Sequence, residues 1–107
     1  MDKHLHHTFH ALGDATRLAV VEQLLKGPAS VSELAGPHDM ALPAFTKHLR
    51  VLEGAGLISS QKKGRVRTCF IQAPTMRDLQ GWFAQRQRMW EARLDNLAAY
   101  VEDNGKG

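Results

Sequence analysis

The chain of 107 residues holds a single cysteine, Cys69, and so cannot close an internal disulfide, which suits a reducing cytoplasm. It has no apolar run near the roughly 18 residues of a membrane span. Its first residues, MDKHLHHTFH, lack the continuous apolar core of a secretory signal. The expectation is a cytoplasmic, nucleoid-associated protein with no membrane partner. No serine–histidine–acid or cysteine–histidine arrangement can be assembled, and there is no phosphate-cradling glycine loop or paired-carboxylate motif, so an enzyme is not expected. Proline is absent after Pro74, and between positions 41 and 72 the only acid is Glu53.

The last two absences frame what is present. Against Glu53, the 41–72 segment carries Lys47, Arg50, Lys62, Lys63, Arg65 and Arg67, a net of +5, whereas the rest of the chain nets −2 within an overall +3. Such a run is ordinarily a solvated face. Concentrated on one helix and a neighbouring hairpin, it reads as the footprint of a polyanion. The proline-free stretch from Thr75 to about Asp103 predicts one long helix. Its Leu79, Phe83, Trp90, Leu94, Leu97 and Val101 form a stripe, reinforced by Trp82 and Tyr100. That is more apolar surface than the roughly 75 residues before it can cover, so a homodimer is expected, with Leu5 and Phe9 of the first helix joining the seam.

At this length one domain, residues 1–107, is expected, with 5–12 and 76–101 as dimerisation helices. Leu5, Phe9 and Leu12 mark a short first helix. Asp14 caps a second that runs to about Lys26 and buries Leu18, Val21 and Leu25. Ser30 and Glu33 have capping-box spacing and open a third through about Ala35. A fourth runs from Pro43 to Glu53, with Phe45, Leu49 and Leu52 turned to the core and Pro43, Thr46, Lys47 and Arg50 turned outward. GAG at 54–56 ends it. Residues 57–62 and 65–72 read as strands joined at Lys63-Gly64. The fold class is mainly α with a small β part: a helix-turn-helix over residues 30–53, a basic hairpin, and a long last helix.

The outward face of the fourth helix fits a major groove about 12 Å wide. The hairpin cations then reach the flanking backbone or minor groove of double-stranded DNA. Candidate DNA contacts are Pro43, Ala44, Thr46, Lys47, His48 and Arg50 on the helix, and Lys62, Lys63, Arg65 and Arg67 on the hairpin. For His48, half-burial and donation to a phosphate stand equal. Arg17 opens a helix whose dipole disfavours a cation, so backbone or a nearby acid should compensate it.

Three stretches, FHALGDATRLAVVEQLLKGPASVSELA, LPAFTKHLRVLEGAGLI and KKGRVR, resemble the ArsR/SmtB winged-helix repressors over roughly residues 9–72. The tail RMWEARLDNLAAYVE resembles a branch whose members often lack metal ligands and are commonly encoded beside small lipid-transfer-like or polyketide-cyclase-like proteins. The resemblance implies a bacterial homodimeric repressor. Its first and last helices would form the dimer, its fourth helix would read a pseudo-palindromic operator, and its hairpin would be the wing. Two positions depart from the family pattern: Ala41 stands where a capping serine is common, and TCF at 68–70 replaces an aromatic pair followed by a polar residue.

The alternative is a metal- or ligand-responsive sensor using the N-terminal histidines. His6 and His10 are four apart and His4 and His7 three apart, so each pair shares a helical face. Zinc needs about four ligands. No cysteine occurs at 30–36, where the family's thiolate pair lies, and no histidine occurs in the last helix, so no metal and no cofactor are expected. Cys69 reads as a small strand residue rather than a redox sensor. A double-stranded RNA module is disfavoured because A-form major grooves exclude a helix. No residue specifies an effector or an operator sequence.

Overall fold

A computed structural model of the chain describes residues 3–105. Its elements are α1 (Lys3–Leu12), α2 (Ala15–Leu25), β1 (Ala29–Ser30), α3 (Val31–Ala35), α4 (Leu42–Gly54), β2 (Ile58–Lys63), β3 (Val66–Ile71) and α5 (Ala73–Gly105). This is the expected winged helix-turn-helix order, mainly helical, with a hairpin wing and a long last helix. Residues up to Met76 form one compact unit and those from Arg77 onward a second. Among the described residues no helix is long and apolar enough to cross a membrane.

In the first unit, α1 turns Thr8 and Ala11 fully inward and leaves Leu5, Phe9 and Leu12 half-buried. The buried Thr8 hydroxyl is satisfied within its own helix, donating to the His4 carbonyl at 2.8 Å. Asp14 accepts the Arg17 amide as the N-cap of α2. The buried face of α2 differs from the sequence expectation. Val21 is inside, but its companions are Val20 and Leu24, whereas Leu18 and Leu25 are 43% and 57% exposed. The helix is apolar on nearly every side, so two helical stripes are equally plausible from spacing, and packing on α1, α4 and β3 selects one.

Ser30 and Glu33 make the reciprocal capping box at the start of α3, at 3.0 and 3.1 Å. The Ser30 amide bonding that carboxylate holds Glu33 below its ordinary pKa, with the Ser30 hydroxyl adding to it. Ser30 has a second role that the sequence does not suggest: with Ala29 it forms β1, which pairs with β3 through Ala29↔Cys69 and Ser30↔Thr68. The sheet is antiparallel in the order β1-β3-β2.

The α4 helix buries Phe45, Leu49 and Leu52, as its spacing requires. Its N-cap, Ala41, makes no side-chain bond. Serine at this position would accept an orphan amide of the first turn, so Ala41→Ser is expected to stabilise the fold by about 1 kcal/mol, read from the midpoint of urea unfolding. The helix ends in a Schellman cap: the Leu57 amide donates to the Leu52 carbonyl and the Gly56 amide to the Glu53 carbonyl, both at 3.0 Å. Such a cap needs a left-handed residue, and Gly56 supplies it at φ 75°.

The hairpin turn lies one residue later than expected. Lys63 still pairs with Val66, so the two loop residues are Gly64 and Arg65. Gly64 has φ 63° and Arg65 a negative φ, the sign pattern of a type II′ turn, in which glycine takes the first position. Helix α5 begins at Ala73 rather than Thr75, because Pro74 sits in a first turn that needs no proline N–H. In the second unit Leu79 is buried and Trp82 half-buried, while Trp90, Leu94, Leu97 and Val101 are 58%, 44%, 49% and 65% exposed.

Candidate nucleic-acid interface

With Phe45, Leu49 and Leu52 fixed inward, the helical period turns Pro43, Ala44, Lys47 and Arg50 to the solvent and leaves Thr46 and His48 half-buried on the two flanks. The two flanks have different surroundings. On the Thr46 side, α4 and the wing enclose a groove of about 770 Å³, lined among others by Thr46, Arg50, Lys62, Arg65 and Arg67. Five of the residues expected to meet DNA therefore share one concave surface. Pro43, Ala44, Lys47 and Lys63 are exposed outside it, and His48 lies on the opposite flank.

The groove contains one acid, Glu53, and its position follows from the sheet. Lys62 and Arg67 are direct cross-strand neighbours, a like-charge pairing that opposes strand association. Arg67 turns away along the diagonal and donates to the Ser60 hydroxyl at 2.9 Å. That hydroxyl donates in turn to Glu53 at 3.0 Å. One serine thus couples the last turn of α4 to both wing strands and sets a counter-charge beside Arg67. The lone acid of the basic segment is visible in the sequence; its link through Ser60 requires the strand register.

The His48 flank is tied to the corner between α1 and α2. Arg17 donates from Nε to the Ala11 carbonyl at 2.7 Å and from Nη2 to the His10 carbonyl at 3.4 Å, meeting the negative end of α1. Backbone, not a carboxylate, is thus its main compensation. Its Nη1 lies 3.0 Å from His48 Nδ1. The Arg17 amide holds the Asp14 carboxyl below its ordinary pKa, burial opposes this, and the Arg17 charge adds to the lowering, as would that of His48 were its ring protonated. The His48 ring is half-buried, with 24% of its side chain exposed.

His4, His6, His7 and His10 are all exposed on α1, and the rings of His6 and His7 are 5.6 Å apart, tilted at 56°. Among the described residues no group of three or more histidine, cysteine or acidic side chains is arranged to hold a metal. Cys69 is fully buried in the central strand. Burial pushes its thiol pKa up, and the Glu53 charge pushes the same way against Arg67. A thiol so placed is inert.

Residues 12–61 match the family described as a helix-turn-helix domain. The HTH-type transcriptional regulator Rv2034 of Mycobacterium tuberculosis is 32% identical over 97 residues, covering 91% of this chain and 88% of that protein. The crystal structure of an ArsR family transcriptional regulator shares 48% identity, with a TM-score of 0.79 over 85% of this chain and 94% of that one. The chain belongs to the ArsR family. It is a DNA-binding transcriptional regulator of the winged helix-turn-helix type and not an enzyme. The fold is shared with the homodimeric winged helix-turn-helix DNA-binding domain of a possible ArsR-family regulator from Mycobacterium bovis, at 22% identity and a TM-score of 0.62, covering 87% of this chain and 83% of that one. In this winged fold the β2–β3 hairpin is the wing.

Proposed function

We propose that this ArsR-family protein is a homodimeric repressor whose paired recognition helices enter successive major grooves of a pseudo-palindromic operator. The observation that carries the reading is the concave, cation-lined surface between α4 and the wing, in which Arg50, Lys62 and Arg65 face a single acid already engaged by Ser60. Thr46, Lys47 and Arg50 supply base preference, with Pro43 and Ala44 packing close to the groove wall. Lys62, Lys63, Arg65 and Arg67 hold phosphates. A second copy is supported by the second unit, where Trp90, Leu94, Leu97 and Val101 expose one apolar stripe at helical spacing. Leu5 and Phe9 of α1 and Leu79, Trp82 and Phe83 of α5 complete the proposed seam, and the homodimeric relative from M. bovis supports the assembly. A dimer seated on a promoter excludes polymerase, which makes repression the natural outcome in the cytoplasm.

Hydroxyl-radical footprinting on DNA selected from random sequence tests this. Two protected patches related by symmetry and about 34–36 Å apart along the duplex are expected. One patch, or uniform protection without selected sequence, would overturn it.

The regulator is proposed to act without a metal. The tract of His4, His6, His7 and His10 provides pairs at helical spacing but, among the described residues, no third and fourth ligand, and Cys69 is sealed in the sheet. Treatment with chelator is expected to leave operator affinity within about twofold. A stoichiometric zinc ion whose loading shifts that affinity tenfold would reverse the assignment.

A further inference from the structure

We infer that Arg17 locks His48 in its neutral Nε2–H tautomer, and that this N–H donates to a DNA backbone phosphate at the α2 side of the recognition helix. The inference rests on the DNA-binding reading above. A guanidinium has five N–H donors and no acceptor. With Arg17 Nη1 at 3.0 Å, His48 Nδ1 must offer its lone pair, and the ring proton then resides on Nε2. The competing arrangement is an imidazolium paired with Asp14. It would set two donors head to head, and Asp14 Oδ2 lies 3.7 Å from the ring nitrogen, beyond hydrogen-bond reach. That oxygen already accepts the Arg17 amide at 3.0 Å.

Arg17 is a fixed donor because its Nε is held at 2.7 Å on the Ala11 carbonyl. The ring it orients is half-buried, so the direction of the Nε2–H is set by protein contacts. Among the described residues no group accepts that proton, and no buried side-chain nitrogen or oxygen is left unsatisfied, so Nε2 is open to solvent. Chemistry selects the partner. With Nδ1 occupied, His48 presents a donor only, whereas base edges offer donors and acceptors and phosphate oxygens offer acceptors only. Location agrees, since His48 flanks the outward face of α4, and the flanks of a helix in the major groove meet the groove walls. His48 is then a phosphate contact and Arg17 its positioning residue.

Ring-nitrogen NMR of ¹⁵N-labelled protein without DNA reads the tautomer directly. Wild type is expected to show an unprotonated Nδ1 and a protonated Nε2 at His48, and Arg17→Met a mixture of both tautomers. Duplex binding reads the contact. His48→Asn keeps an acceptor near Nδ1 but has nothing at the Nε2 position, and it is expected to bind about three- to tenfold more weakly. His48→Gln, whose amide nitrogen reaches toward that position, should recover part of the loss. If Arg17→Met fails to fold, as circular dichroism would show, the wild-type spectrum and the His48 pair still decide. A protonated Nδ1 in wild type, or wild-type affinity in His48→Asn, overturns the inference. Arg50→Ala in the same assay separates the levels: if it too leaves duplex binding intact, the DNA-binding reading fails and takes this one with it.

Discussion

Leu94→Asp is expected to lower operator affinity by about a hundredfold or more while touching no residue proposed to meet DNA. The side chain is 44% exposed in the single chain, in line with Trp90, Leu97 and Val101 along α5. In a symmetric dimer each copy would bury that position against its mate. An unpaired carboxylate there would cost about 3–5 kcal/mol, and symmetry places two of them in the same seam. Loss of the dimer separates the two half-sites, so the second recognition helix no longer binds as an intramolecular event. Sedimentation velocity should show monomer or aggregate for the variant. An intact Leu94→Asp dimer with normal affinity would remove the second unit from the assembly. Leu94→Met, which keeps volume and apolarity, should retain the dimer and serves as the control.

Arg50→Ala and Lys63→Ala should both weaken binding, but by separable routes. Arg50 is exposed on the outward face of α4 and lines the groove, where a guanidinium can bond a guanine edge in bidentate fashion. Its removal is expected to cost about 1–3 kcal/mol per lost base contact and to relax preference at one symmetric pair of positions. Lys63 ends β2 at the tip of the wing, outside the groove. Its loss should weaken all sequences alike and reduce the salt dependence by about one counterion per phosphate contact. Titrations at several salt concentrations, on selected and scrambled duplexes, read both effects. A change in salt slope alone for Arg50→Ala would move Arg50 from the bases to the backbone. Wild-type affinity in both variants would sink the helix-and-wing reading.

Much of this arrangement is legible in residue types and their spacing. Helix α4 is legible because two independent signals agree: Phe45, Leu49 and Leu52 repeat at helical spacing, and glycine punctuates the end. The α3 capping box is legible because both of its bonds lie within four residues. On α2, spacing points wrongly to Leu18 and Leu25, since a helix whose apolar residues are spread around its circumference has no preferred stripe until its neighbours are placed. The two-residue β1 is too short for any period to register. The wing turn shifts by one because Lys-Gly and Gly-Arg are both acceptable pairs, and only pairing of Lys63 with Val66 decides between them. At the interface, residue types are legible and alliances are not. The tie from Arg17 to His48 spans 31 residues, and those from Ser60 to Glu53 and to Arg67 span 7 each, and no local pattern encodes them.

The three-stranded sheet carries an obligation unrelated to operators. Among the described residues strand β2 has no neighbour on its outer side, and β1 covers only Thr68 and Cys69 of β3, so open backbone amides and carbonyls remain on both margins. Margins of this kind recruit further strands and seed fibrous aggregates. Here they carry Lys62, Lys63 and Arg67, and the hairpin is only six paired positions long. Mutual repulsion between such wings opposes stacking edge to edge. Stripping those cations to study DNA affinity therefore also strips the sheet of its protection against self-pairing, and a loss of soluble protein would follow from that cause alone.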